Sequence, residues 1–163
     1  MTDKKQGSLA TGSGNTLEQT VTGILLSKGF TPVSYGEYIK KKDKYGEELL
    51  IKNVPYKTIY GHDGKTEFLL VSGKYSLEIR IECKWQQTSG SVDEKYPYLY
   101  LNCIEAMPER DIIIIIDGGG AKEGAIKWLK KAAENHLYTS NNTKNIRIFN
   151  LVEFIKWTNS AFR

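Results

Sequence analysis

Two acids and a lysine stand apart by their type and spacing. Glu67 is followed, after fourteen intervening residues, by Glu82-Cys83-Lys84. The stretch Ser72-Gly73-Lys74-Tyr75 between them carries a turn signal, so Glu67–Val71 and Leu77–Trp85 predict a hairpin. With Ser72 facing Leu77, counting outward sets Glu67 opposite Glu82, and directly opposed residues have Cβ atoms about 4.5–5.5 Å apart. Two carboxylates so placed repel unless something neutralises them. A hard divalent cation would do so, since Mg2+ commonly takes one or two carboxylates while keeping several waters. Lys84 shares the face of Glu82 and adds a cation beside the pair. Asp63 lies close enough in sequence to be an alternative first acid. The pairing depends on register, because a one-residue slip turns every side chain to the other face.

The elements that must position these residues follow from periodicity. Asn15–Gly29 predicts an amphipathic helix, with Asn15 as N-cap, Glu18 three residues on, Leu17, Val21, Ile24 and Leu25 at helical spacing, and Gly29 as the stop. Tyr35–Leu50 reads as partly helical and carries a basic cluster, Lys40, Lys41, Lys42 and Lys44. Three strands, Tyr56–Tyr60, Glu67–Val71 and Leu77–Trp85, predict an antiparallel meander. In the third, Leu77, Ile79, Ile81 and Cys83 alternate with Glu78, Arg80, Glu82 and Lys84, which predicts one core face and one charged face. Ser91 would cap a helix over Asp93–Met107, with Pro97 in its first turns. The isoleucine run within Asp111–Asp117 predicts a central strand buried on both faces, ended by Gly118-Gly119-Gly120. A helix over Ala121–Asn135, a short strand over Arg147–Asn150 and a helix from Leu151 to Trp157 complete the chain. The order α, β, β, β, α, β, α, β, α predicts an α/β fold: a mixed sheet, antiparallel meander plus parallel strands, flanked by helices.

Composition narrows the function classes. A chain of 163 residues with net charge +4 and 40% apolar side chains is sized for one packed domain, which we place at residues 15–163. Residues 1–14, polar and rich in Gly and Ser, read as a flexible lead-in without a secretory signal. The longest apolar run, Ile112–Ile116, is far short of the roughly 18 residues a membrane span needs. Two cysteines and two histidines without close spacing exclude the common zinc modules. A sequence pI near 8.9 favours an anionic partner. These features predict a cytoplasmic protein.

Glu67 and the Glu82-Cys83-Lys84 tripeptide, taken with the element order, resemble the PD-(D/E)XK nuclease superfamily of restriction endonucleases and Holliday-junction resolvases. Thr66-Glu67 stands where that family usually has Pro-Asp. The resemblance implies a restriction endonuclease-like fold, a Mg2+-dependent DNA endonuclease with Mn2+ as a substitute ion, and a bacterial or phage-infected cell as the setting. It also implies that the Cys83 carbonyl joins Glu67 and Glu82 as a metal ligand and that an acid from the first helix, Glu18, reaches the site. Lys84 would orient or activate water, either as a cation or, when deprotonated by burial, as a base.

Each of these residues also has a plain structural reading. The charged face of the third strand would be an exposed, salt-bridged surface. Glu18 would complete a capping box with Asn15. Gln86, continuing the face of Lys84, would hold a substrate phosphate or end an exposed strand. The amides around Ser91 would bind phosphate or simply start a helix. Lys40, Lys42, Lys127 and Lys131 would track a DNA backbone or form solvated faces. His62 reads as a turn residue. A homodimer suits symmetric cutting of both strands. The leading expectation is a restriction-type or phage-borne DNA endonuclease; the alternatives are a junction resolvase and a catalytically silent DNA-binding module.

Overall fold

A computed structural model describes residues 3–88, 90–140 and 143–163, with side chains from Asn15 onward other than that of Ser91. The described residues form five α-helices and a six-stranded sheet whose spatial order follows the sequence. The elements are α1 (Asp3–Ser27), β1 (Thr31–Ser34), α2 (Tyr35–Lys40), β2 (Leu49–Lys57), β3 (Asp63–Ser72), β4 (Leu77–Trp85), α3 (Tyr96–Glu105), β5 (Asp111–Asp117), α4 (Glu123–Glu134), β6 (Asn145–Phe149) and α5 (Leu151–Ala161). β2, β3 and β4 form the antiparallel meander, while the β1–β2, β4–β5 and β5–β6 pairs are parallel. The expected mixed sheet is therefore present. No helix among the described residues is long and apolar enough to cross a membrane.

Three expectations are corrected. The first helix starts at Asp3, so residues 3–14 are helical and Asn15 lies inside the helix instead of capping it. The first meander strand runs over Leu49–Lys57, not Tyr56–Tyr60, and an edge strand at Thr31–Ser34 precedes it. Leu49, Leu50 and Ile51 are all buried, so no period-two signal marked this strand. The predicted helix over Asp93–Met107 is shorter, since Ser91–Lys95 forms a 3₁₀ turn and Pro97 enters the first turn of α3.

β5 divides the core. Ile113 and Ile115 pack with Leu17, Val21 and Leu25 of α1 and Phe154 of α5. Ile112, Ile114 and Ile116 pack on the opposite face with Tyr96, Leu99 and Cys103 of α3 and Leu129 of α4. α3 crosses the face of β4 that the alternation marked as charged, and Arg80 and Glu82 beneath it are only 2% and 5% exposed. That face is not solvated. Periodicity distinguishes two faces of a strand but not whether a helix covers the polar one.

Candidate active site

β3 and β4 bring the acids together. Their register runs from Ser72↔Leu77 to Phe68↔Ile81, as the turn predicted, and leaves Glu67 at the next position beside Glu82. On its other side β3 pairs with β2 through Lys52↔Phe68 and Val54↔Thr66, passing over Asn53 opposite Glu67. Asn53 has φ 57°, in the left-handed region that Asn tolerates better than most side chains. Such local breaks in a ladder bend strands and re-aim side chains. Here the carboxylate of Glu67 accepts a hydrogen bond from the backbone N–H of Cys83 at 2.8 Å.

Glu82 projects toward the α3 side. Its Oε1 lies 2.6 Å from the Lys84 ammonium, and its Oε2 is buried with no hydrogen-bond partner among the described residues. Burial, and next the charge of Glu82, push the Glu67 carboxyl up to about 7, against the opposing influence of the Cys83 N–H and Lys84. For Lys84, burial works against the ammonium, but the charge and hydrogen bond of Glu82 outweigh it and raise its pKa. Its pairing with Glu82 thus favours the ammonium form of Lys84.

Glu18 faces Glu67 from α1 across a cleft of about 260 Å³ that Lys52 and Asn53 also line. Burial and then the charge of Glu67 raise its pKa, while Lys52, Lys65 and Lys84 oppose this. The capping-box reading of Glu18 falls with the relocated helix start. Lys52 and Asn53 were missed from the sequence because nothing in the pattern tied the second strand to the site.

The donors suit a hard cation. Among the described residues no group of three or more His, Cys, Asp or Glu side chains is arranged to hold a metal ion. Two carboxylates are enough for Mg2+, which keeps its waters, and the orphaned Oε2 of Glu82 is the kind of buried oxygen that such an ion would satisfy. The Cys83 side chain belongs to the core, so only its carbonyl is a candidate ligand.

The family is decided by the whole chain. A model of the PD-(D/E)XK nuclease superfamily domain matches residues 9–162. The chain belongs to the PD-(D/E)XK nuclease superfamily. No curated protein and no solved structure matched it. Nucleases of this superfamily typically use divalent metal ions, in keeping with the donors at Glu67 and Glu82.

The remaining residues fall elsewhere in this PD-(D/E)XK domain. Gln86 is buried, neither an exposed strand end nor open to a phosphate. Its amide donates to Thr88 O and Asp93 Oδ1, both at 3.2 Å, and accepts from the Tyr96 hydroxyl at 2.9 Å. Asp63 is exposed and pairs with Lys57. The Ser91 side chain lies outside the described residues. Lys40 and Lys42 sit on and just after α2, which packs on β1 and β2, whereas Lys127 and Lys131 lie on α4 beside β6. The two basic clusters thus occupy opposite edges of the sheet, and Lys127 is paired with Glu123 at 2.7 Å. The glycine turn after β5 presses on the loop that leaves β4. A Cβ on Gly118 would meet Gln86 O at 2.4 Å, and one on Gly120 would meet Thr88 N at 2.3 Å.

Proposed function

We propose that this protein is a Mg2+-dependent endonuclease that hydrolyses phosphodiester bonds in DNA, with Mn2+ able to replace Mg2+. The observation that carries this reading is Glu82, buried and paired with Lys84, with one oxygen left without a partner among the described residues. Glu67 and Glu82 would hold the cation, with the Cys83 carbonyl as a third donor. The cation would supply charge neutralisation at the phosphate and activation of water. Glu67, kept in place by the Cys83 N–H, presents its carboxylate without needing to reorganise. Lys84, a cation paired with Glu82, holds positive charge where a nucleophilic hydroxide and the developing phosphorane need it. Glu18, which lines the neighbouring cleft with Glu67, would accept a hydrogen bond from a water there. Lys40, Lys42, Lys127 and Lys131 would contact the DNA backbone, so binding should weaken steeply with salt.

Restriction-type or phage-borne cutting at discrete positions is the role we place first. A junction resolvase is the second reading, favoured by the aromatic-lined cleft beside Lys84, which would take an unstacked base at a branch. The test is incubation with supercoiled plasmid, circular single strands and four-way junctions, in Mg2+ or in EDTA. Metal-dependent opening of either circle is the expected result. Fixed fragments from duplex would support the restriction-type role, and cutting confined to junctions would support the resolvase. No cleavage of any substrate in Mg2+ or Mn2+ would overturn the nuclease reading.

A further inference from the structure

A second cleft, of about 360 Å³, opens on the α3 side of the sheet, and Glu82 and Lys84 form part of its wall. Its size is in the range of sites that enclose small ligands, about 300–1,000 Å³. The rest of the wall is largely aromatic: Tyr56 from β2, Trp85 from β4 and Tyr98 from α3. Tyr98 stacks on Tyr60, with ring centroids 5.1 Å apart and planes at 22°. Tyr60 itself is 67% exposed, so a flat aromatic surface continues from the cleft to solvent. The platform is anchored, because the Ile59 N–H donates to Asn102 Oδ1 of α3 at 2.9 Å. Lys95 at the same wall supplies a cation besides Lys84.

Tyrosine walls, with Lys95 as a cation beside the Glu82–Lys84 pair, describe a receptor for a nucleobase and its phosphate. Bases stack on tyrosine and tryptophan through their π-faces, and their ring nitrogens and carbonyls accept hydrogen bonds. A base inside a duplex cannot enter a concave pocket; it must be single-stranded or turned out of the stack. We propose that this cleft takes an unpaired nucleobase next to the phosphate held at Glu82 and Lys84, so that the protein cuts DNA beside a nucleotide lying outside the duplex stack. A single strand, a branch or a flipped nucleotide would each satisfy it. The position of the phosphate rests on the nuclease reading above, whereas filling of the cleft can be measured without cleavage.

The test uses three DNAs of one sequence carrying 2-aminopurine at one position: a single strand, a fully paired duplex and a duplex in which that base is unpaired. Binding is followed in EDTA by 2-aminopurine fluorescence, which aromatic stacking alters. The single strand and the unpaired base should bind more tightly than the paired duplex and report stacking. Tyr98→Ala should weaken that binding roughly 5- to 100-fold, the stacking contribution of about one base, and erase the preference. Tyr138→Ala, an exposed tyrosine packed near Tyr100 instead, should change nothing. Equal binding of paired and unpaired DNA, or a preference untouched by Tyr98→Ala, would overturn the proposal. Cleavage in Mg2+ without preference or stacking signal would sink this inference and leave the nuclease reading standing. A Tyr98-dependent signal with no cleavage would do the reverse.

Discussion

Arg80 and Glu82 lie two residues apart on the same buried face of β4, and each faces a partner of opposite charge. Their surroundings differ. Every guanidinium nitrogen of Arg80 has a partner: Nε and Nη2 meet the two oxygens of Glu109 at 2.5 and 2.9 Å, and Nη1 reaches Val54 O and Thr66 Oγ1 at 3.2 and 3.1 Å. Glu82 has one oxygen on Lys84 and one with no partner among the described residues, and the Lys84 side chain remains 37% exposed. A buried polar network whose members are all satisfied holds structure together, whereas an incomplete one raises the energy of the free protein. The Arg80 network ties β2, β3 and β4 to the segment before β5, and so fixes the strands on which Glu67 and Glu82 stand. The Glu82 pair is left unfinished at the place where a ligand can finish it.

The largest expected effect separates the two pairs by activity. Glu82→Ala and Lys84→Ala should each lower the cleavage rate by about 100-fold or more, with circular dichroism unchanged. Near-wild-type cutting by either variant would move the chemistry elsewhere. The next effect separates them by stability. Glu109→Ala strands a guanidinium in the interior and should cost about 3–5 kcal/mol in urea denaturation; a loss below about 1 kcal/mol would mean that the Arg80 network is not what fixes these strands.

A smaller effect comes from Glu67. Its carboxyl, raised to about 7 by burial and then by Glu82, is protonated more readily in the folded than in the unfolded chain. That contribution to stability is fully present below the ordinary carboxyl range and is lost as pH rises through about 7. The melting temperature of the metal-free protein should accordingly fall across that window. Glu67→Gln should flatten the fall and stabilise the metal-free protein at the alkaline end by about 1–3 kcal/mol, while damaging cleavage. A melting profile in metal-free buffer unchanged by this substitution would contradict the repulsion between the two acids. The smallest effect is expected at Asp63, exposed and paired with Lys57. Asp63→Asn should leave cleavage and the urea denaturation midpoint near wild type. A larger loss of activity there than with Glu67→Gln would exchange the two acids.

Several features were legible before any coordinates. The turn at Ser72–Tyr75 and the alternation in β4 specified the hairpin register, because side chains on a strand repeat every two residues and one face here is apolar. That register brought Glu67 to Glu82. Five isoleucines marked β5, since a strand covered on both faces carries no polar residues. The glycines at 118–120 read as a turn that spares room.

Other features required the third dimension. Leu49–Ile51 joins the sheet only because β3 and β1 pair with it on either side, and such pairing is non-local. Asn53 and Lys52 reach the site through that same pairing. Arg80 is covered by Tyr56, Thr66 and Glu109, Glu82 lies in the wall shared with Leu99 and Asn102 of α3, and Gln86 is closed in by Tyr96 and Asp93; a strand's own sequence says nothing about what will cover it. The aromatic cleft gathers Tyr56, Trp85 and Tyr98 from three elements. Residue type and local period determined which side chains could carry charge and which strand face they occupied. Only the packing of helices on the sheet decided which charges would be neutralised internally and which would be left for a ligand, because desolvation and partner geometry are properties of the assembled surroundings.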